Sequence, residues 1–493
     1  MTRGDAARRT GCWTARRPAP WCGLVWVLFW ALQTLACSSQ RPPHAGTLPA
    51  GTPPRLLVMA LDAVPYDVVA KLSAEGVFAG FHAPVPMIST FPSATSLAMS
   101  GILEPFGLDR STGYEARFFD RARNRIRGGG LLSYNRLRFP WREAWDWKTG
   151  TAHKLASGMA PVRASAGEMD DALAAFLASD QPIFLAYNDA TDLAGHLKSP
   201  SALDAILRRL AGRLNAMHQE HPNRPFYTVL FSDHGQAGGA PLLNVRRGVH
   251  RALHKADFRR TGHLHSARDI VLVPFGLLSS LIAYTAPDSA WAAAAAIATV
   301  DGVDLCVAAH GDDAWQVLGH NGEAVVERQR LPNGRTLWRY RHQDGDPLAL
   351  GALLDDRDDD GWHEDAWWYA RTLEHIYPDA LYRIARGFEL VENPASVICS
   401  LETRAMYGAK LTSMASRMSV GHLKWTHGAL HRTPTLGFVM SDLPGWQPQG
   451  AVRFDQALVP FANYARERYA ITRIIEGERP IPALAPGSSW GNR

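Results

Sequence analysis

Cysteine is scarce in this chain, with five residues in 493. Cys12 and Cys22 fall in an arginine-rich N-terminal leader and Cys37 sits at its end, so only Cys306 and Cys399 remain for the body of the protein. That excludes a disulfide framework and a cysteine-rich metal site. A single bridge between the last two stays open, because their spacing says nothing. Excess charge is lacking as well. The formal net charge is +5, but residues 1–36 hold Arg3, Arg8, Arg9, Arg16 and Arg17 against Asp5, a net +4, which leaves the remainder near +1. The basic balance is therefore no argument for binding nucleic acid, and no nucleic-acid partner is expected. No internal repeat is visible. The apolar run Trp21–Ala36 is 16 residues long, short for a membrane-spanning helix.

What is present begins with that leader. A basic region, a short apolar run and Leu35-Ala36-Cys37 form a secretory signal over 1–36. The last three residues resemble the end of a bacterial lipoprotein box, in which Cys37 would be acylated. The expectation is an exported protein on the periplasmic side of a bacterial membrane, held to it by an N-terminal lipid. Plain secretion and an uncleaved anchor are the alternatives. Residues 37–54 are rich in Ser, Pro and Gly and read as a tether.

From Arg55 the pattern is that of a folded α/β domain. Arg55–Leu61 is nearly all apolar, as expected of a strand buried on both faces. It ends at Asp62, and a helix pattern follows from Pro65 to Glu75. The rhythm recurs at Pro182–Tyr187, at Ser201–Glu220 and at Pro225–Phe231; Asp269–Phe275, Ala395–Leu401 and Thr435–Met440 look similar. The spacing predicts a doubly wound, mostly parallel sheet with helices on both faces. Its domain spans 55–235 and 391–479. Residues 236–390, with hairpin signals at Asn321-Gly322 and Asn333-Gly334, read as a smaller α+β insertion, and 480–493 as a tail.

Such sheets bind ligands beyond the carboxyl ends of their strands, and the polar residues collect there. Asp62 follows the first strand. Asp192 and His196, four residues apart, share one helix face. Asp233-His234 closes another strand, and His427-Gly428 precedes the last. His263, His265, His422 and His431 compete with His427 as the final ligand. Thr90, in Ser89-Thr90-Phe91-Pro92-Ser93, puts a hydroxyl ahead of a helix expected over Ser93–Gly101, with Pro92 suited to its first turn. Helix starts attract anions. Oxygen and nitrogen ligands without cysteine suit zinc, and manganese less well. Asp355–Asp360 reads as a solvated acidic loop, and Arg246–Arg260 as a solvated basic face.

The ordered set Asp62, Ser89-Thr90-Phe91-Pro92, Asp192-x-x-Gly195-His196, Ser232-Asp233-His234-Gly235 and His427-Gly428 resembles the alkaline phosphatase superfamily. Its nearest likeness there is the type I phosphodiesterase / nucleotide pyrophosphatase branch, over roughly Arg55–Ser441. The resemblance implies two divalent metal ions, most simply zinc. Asp62, Asp233 and His234 would hold one beside Thr90, which would also touch it; Asp192, His196 and His427 would hold the other. It implies an exported hydrolase of phosphoric ester or pyrophosphate bonds, with Thr90 as nucleophile and a covalent phosphothreonine. Its substrate would be a small phosphate ester or nucleotide. A phosphomonoesterase or phospho-group transferase of the same superfamily is the alternative, and an inactive binding lipoprotein a third. The chain departs from the branch at Ser93, where Asn is usual, at Ala63, where Gly is frequent, and in Ser111–Glu115, which lacks an Asn the branch uses for the substrate phosphate. No arginine follows Ser93 in the way a sulfatase requires.

Overall fold

A computed structural model describes residues 53–108, 110–128, 139–149, 160–273, 276, 278–354, 361–408 and 424–469. The leader, Cys37, nearly all of the tether, the tail, Asp355–Asp360 and His422 lie outside the described residues. Among those described, no helix is long and apolar enough to cross a membrane.

The strand Arg55–Leu61 is buried along its whole length, and its side chains alternate between two cores. Leu57, Met59 and Leu61 enter one, with Val69 and Leu72 of the helix Tyr66–Ala74, Phe176 of Pro161–Ala178, and Ile206 and Leu210 of Leu203–Glu220. Leu56, Val58 and Ala60 enter the other, with Leu97 of Thr95–Ile102, Ile384 of Ala380–Glu389 and Phe461 of Val459–Tyr469. Helices thus cover both faces, and the sheet is doubly wound as its strand pattern implied. Arg55–Leu61 runs parallel to Ile183–Asn188 on one side and to Phe226–Phe231 on the other. Seven strands form this sheet; Leu436–Ser441 joins it antiparallel, beside Phe226–Phe231.

A second sheet has nine strands and carries the two expected hairpins, at Gly319–Gly322 and between Arg330 and Thr336. Two strands that read like members of the main sheet belong here. Asp269–Leu272 pairs with Ser280–Tyr284, and Val397–Leu401 lies between Ser280–Tyr284 and Val303–Ala309. A strand covered on both faces has the same apolar run in either sheet, so sequence could not assign it. Ile398 packs in the core shared with the main sheet, and Val397, Cys399 and Leu401 in a separate one. The chain rejoins the main sheet at Leu436, not near 391 as expected. Cys306 and Cys399 stand opposite one another on neighbouring strands and are disulfide-bonded.

Candidate active site

The site forms where the parallel strands end. Asp62 follows the first strand, and its Oδ2 accepts a hydrogen bond from the hydroxyl of Tyr187. Asp233 lies two residues past Phe226–Phe231 and is fully buried. Its Oδ1 accepts from the backbone N–H of Ala63 at 3.1 Å. Ser232 ties the same two loops, accepting from Val64 N–H at 2.8 Å. His234 Nε2 stands 3.3 Å from Asp233 Oδ2 and 3.8 Å from Asp62 Oδ1. These three residues make one cluster, with one ligand atom of each within 4.8 Å of the others.

Asp192, His196 and His427 make the second cluster on the same criterion. The helix Ala190–Lys198 sets Asp192 Oδ1 3.1 Å from His196 Nε2, and His427 Nε2 comes within 3.8 Å of the same oxygen. Gln236 Nε2 donates to that oxygen at 2.9 Å. The rings of His234 and His427 stack at 3.9 Å, so the clusters adjoin. All three imidazoles are oriented alike. The Nδ1 of His196 meets the Trp425 carbonyl at 2.7 Å, that of His427 the Ser93 carbonyl at 2.8 Å, and that of His234 the Gly235 carbonyl at 3.0 Å. A carbonyl can only accept, so each Nδ1 carries a proton; His234 and His427, lowered by burial, then present an Nε2 lone pair to the cluster, whereas His196, raised by Asp192, donates its Nε2–H to that carboxylate.

The electrostatics call for cations. Burial pushes the Asp62 carboxyl well up, and the nearby charges of Asp233 and Asp192 add to this. Burial likewise raises Asp233 to about 6 and lowers His234 to about 4 and His427 to about 3. Asp192 behaves differently: burial raises it, but His196 and then His427 and His234 outweigh that and hold it below the usual carboxylate range. Asp233 Oδ2 is buried and has no hydrogen-bond donor among the described residues. No lysine or arginine forms an ion pair with any of the three carboxylates among them. A buried carboxylate oxygen facing an imidazole lone pair is repelled by it, and a divalent ion between the two removes the conflict. The residues fit metal binding on that ground, and two sets of Asp and His suit zinc.

The hydroxyl beside the clusters is where structure and sequence part. Thr90 is fully buried. Its hydroxyl donates to the Pro92 carbonyl at 2.7 Å, and its own carbonyl accepts from Arg383. Arg383, also buried, holds the Ser89 carbonyl at 2.8 Å, so Thr90 belongs to a pinned supporting loop. The helix starts at Thr95, with Ala94 as its cap, and Pro92 lies ahead of it. The hydroxyl brought to the cluster is therefore that of Thr95, 3.5 Å from both Asp62 Oδ1 and His234 Nε2. Helix starts are uncertain by one or two residues in any reading, and here two residues decide which hydroxyl faces the ligands. Of the competing histidines, His431 caps the Arg432–Thr435 turn, and His263 Nδ1 meets the Asn124 carbonyl. Sequence reasoning also missed Gln236, Tyr187 and Arg383; none has a local signal, because each acts on a partner far along the chain.

Beside the clusters opens a cavity of about 270 Å³ lined by Asp62, Thr95, Ser96, Glu115, Trp141 and Asp192, among others. No protein-family model matches the chain, and no curated protein matches it. Solved structures do. The human ectonucleotide pyrophosphatase / phosphodiesterase 5 aligns at 10% identity with a TM-score of 0.44, covering 85% of this chain and 96% of that one. Its murine counterpart aligns at 10% identity with a TM-score of 0.47 and the same coverage. An inactive form of the murine protein in complex with AMP aligns at 10% identity with a TM-score of 0.45, over 85% and 97%.

Proposed function

We propose that this chain is an exported, metal-dependent hydrolase of phosphoric diesters that uses Thr95 as its nucleophile. The observation that carries the reading is the Thr95 hydroxyl at a helix start, 3.5 Å from a ligand atom of each of two residues in one cluster, with a second cluster adjoining. Asp62, Asp233 and His234 would hold one ion, and Asp192, His196 and His427 the other. When bound, a pair of divalent ions supplies Lewis acidity to the attacking and leaving oxygens and raises the acidity of a hydroxyl or water.

The chain's own residues do the remaining work. Thr95 Oγ1 is fixed by the first turn of its helix, and its proton faces Asp62 Oδ1. Tyr187 and the Ala63 N–H orient the carboxylates from behind. Oγ1 attacks phosphorus, the P–Oγ1 bond forms as the ester P–O bond breaks, and the alcohol leaves with the proton that Thr95 gave up. Water then cleaves the phosphothreonine and restores the hydroxyl. The cavity beside Thr95 has room for a group on the phosphate that stays bound to it. The Cys306–Cys399 bridge suits an oxidising compartment, which supports export.

The test is a pair of variants in zinc-loaded protein with bis(p-nitrophenyl) phosphate. Thr95→Ala should lose at least roughly 10³-fold in kcat, on the scale of removing an enzyme nucleophile, while keeping two zinc ions per chain. Thr90→Val, which removes the hydroxyl and keeps the buried shape, should stay within about tenfold of the parent, since that hydroxyl serves only the Pro92 carbonyl. The reverse pattern would return the role to Thr90.

A further inference from the structure

One ionisable group in the cavity is left unused by this mechanism. Glu115 lines the cavity with Asp62, Thr95, Ser96 and Asp192. Its segment is tied down by the residues just ahead of it. The Ser111 N–H donates to the Leu390 carbonyl at 2.8 Å, and the Tyr114 hydroxyl accepts from the Ala395 N–H at 3.1 Å. The side chain is therefore aimed by its anchors. Its carboxyl feels the backbone N–H of Ser96, the residue directly after Thr95. It also feels the charges of Asp192 and Asp233, one from each cluster.

A carboxylate there is costly for a hydrolase that needs only to hold phosphate. Two divalent ions against Asp62, Asp192 and Asp233 would leave the site with one net positive charge. Glu115 cancels it. A phosphoric diester brings one negative charge, whereas a monoester above its second pKa brings two. The extra charge of the monoester meets Glu115 in a partly desolvated cavity, where charge–charge terms are several times larger than in water.

We propose that Glu115 is the specificity residue by which this site accepts phosphoric diesters and turns away monoester dianions. The inference rests on the phosphoric-ester reading above. Burial pushes the Glu115 carboxyl up, and two bound divalent ions would pull it back down, so measurements belong at pH 9, where both it and the second ionisation of a monoester are complete.

The deciding experiment has a binding arm and a turnover arm, both on the zinc-loaded full chain. In a Thr95→Ala background, calorimetric titration compares inorganic phosphate with dimethyl phosphate, a diester monoanion. Glu115→Gln should tighten phosphate by about tenfold or more and leave dimethyl phosphate within about threefold. Glu115→Asp should retain the parent's discrimination. In the turnover arm, the ratio of kcat/KM for bis(p-nitrophenyl) phosphate over p-nitrophenyl phosphate should fall by about tenfold or more in Glu115→Gln, through a gain on the monoester. An unchanged preference in the binding arm overturns the assignment whatever the turnover shows. Equal losses on both esters overturn it too, because they indicate a structural role. If the parent hydrolyses neither ester, the proposed function fails, and the binding arm still judges Glu115. Binding of neither anion overturns both.

Discussion

The two ligand clusters are built from the same residue types and lie against one another, yet they are electrostatic opposites. In Asp62/Asp233/His234 two carboxylates are pushed up, and the imidazole is held near pH 4, so every group resists the form a metal needs or the charge it would carry. In Asp192/His196/His427 the carboxylate already has partners. His196 is 3.1 Å away, Gln236 donates to it, and its pKa falls rather than rises. The first cluster is a frustrated site that a cation would complete. The second is a stable polar network that a cation would replace. The contrast follows from composition: two acids and one imidazole cannot neutralise each other, whereas one acid and two imidazoles can.

The largest effects should come from breaking each cluster in the zinc-loaded protein. Asp233→Asn and Asp192→Asn should each lose one zinc per chain by elemental analysis, with activity falling at least roughly 10²-fold. Loss of both ions from either variant would mean the clusters are not separate sites.

The sharper test is in metal-free protein, where the two substitutions should have opposite signs. Asp233 is raised from 3.8 to about 6, so the folded chain keeps its proton to higher pH than the unfolded chain. The resulting penalty is absent below 3.8, grows as pH rises through that window and is complete above about 6. Asp233→Asn removes it and should raise stability by about 1–3 kcal/mol at pH 7.5, with no gain at pH 4. Asp192 is lowered from 3.8, so its contribution is present above that value and lost as pH falls through the folded one. Asp192→Asn should cost about 2 kcal/mol at pH 7.5. Urea unfolding of the chelated variants at both pH values reads this directly. The same sign for both would erase the distinction between the clusters.

A smaller effect is expected at Gly195, which sits between Asp192 and His196. A Cβ there would lie 2.2 Å from Gln236 Oε1. Gly195→Ala must displace the side chain that steadies Asp192, and should weaken zinc at that cluster alone by about tenfold, as loss of an orienting partner does.

Much of this site was legible in the chain. Asp62 and Asp233-His234 stood at the ends of apolar strands, and Asp192 and His196 at helical spacing, so topology and periodicity alone put them on one side of one sheet. These residues and His427 are the six that the structure gathers. Which hydroxyl meets the clusters was not legible, because Thr90 and Thr95 both lie near one helix start. Only the placement of the first turn, and Arg383 pinning the earlier one, separates them. Strand Val397–Leu401 went to the wrong sheet because full burial leaves no mark of which neighbours do the burying. The orienting groups Gln236 and Tyr187 were invisible for a related reason: their partners lie 44 and 125 residues away.

The smallest effect concerns the backbone beneath the frustrated cluster. Ala63 has φ 57°, a left-handed conformation, and its N–H holds Asp233 Oδ1. That conformation costs a non-glycine residue about 1–2 kcal/mol, so glycine should be relieved there. Against this, glycine loses about 0.5–1 kcal/mol in chain entropy on folding, and the buried Ala63 methyl contributes about 0.8 kcal/mol. The terms nearly cancel, so Ala63→Gly should leave stability within about 0.5 kcal/mol of the parent. Valine cannot share the cancellation, because a β-branched residue fits the left-handed region poorly. Ala63→Val should lower stability by about 2 kcal/mol or more and reduce zinc at the Asp62 cluster while sparing the Asp192 cluster. If valine were tolerated with both zincs retained, the Ala63 N–H would not be what fixes Asp233. The difference between the clusters would then rest on their side chains alone.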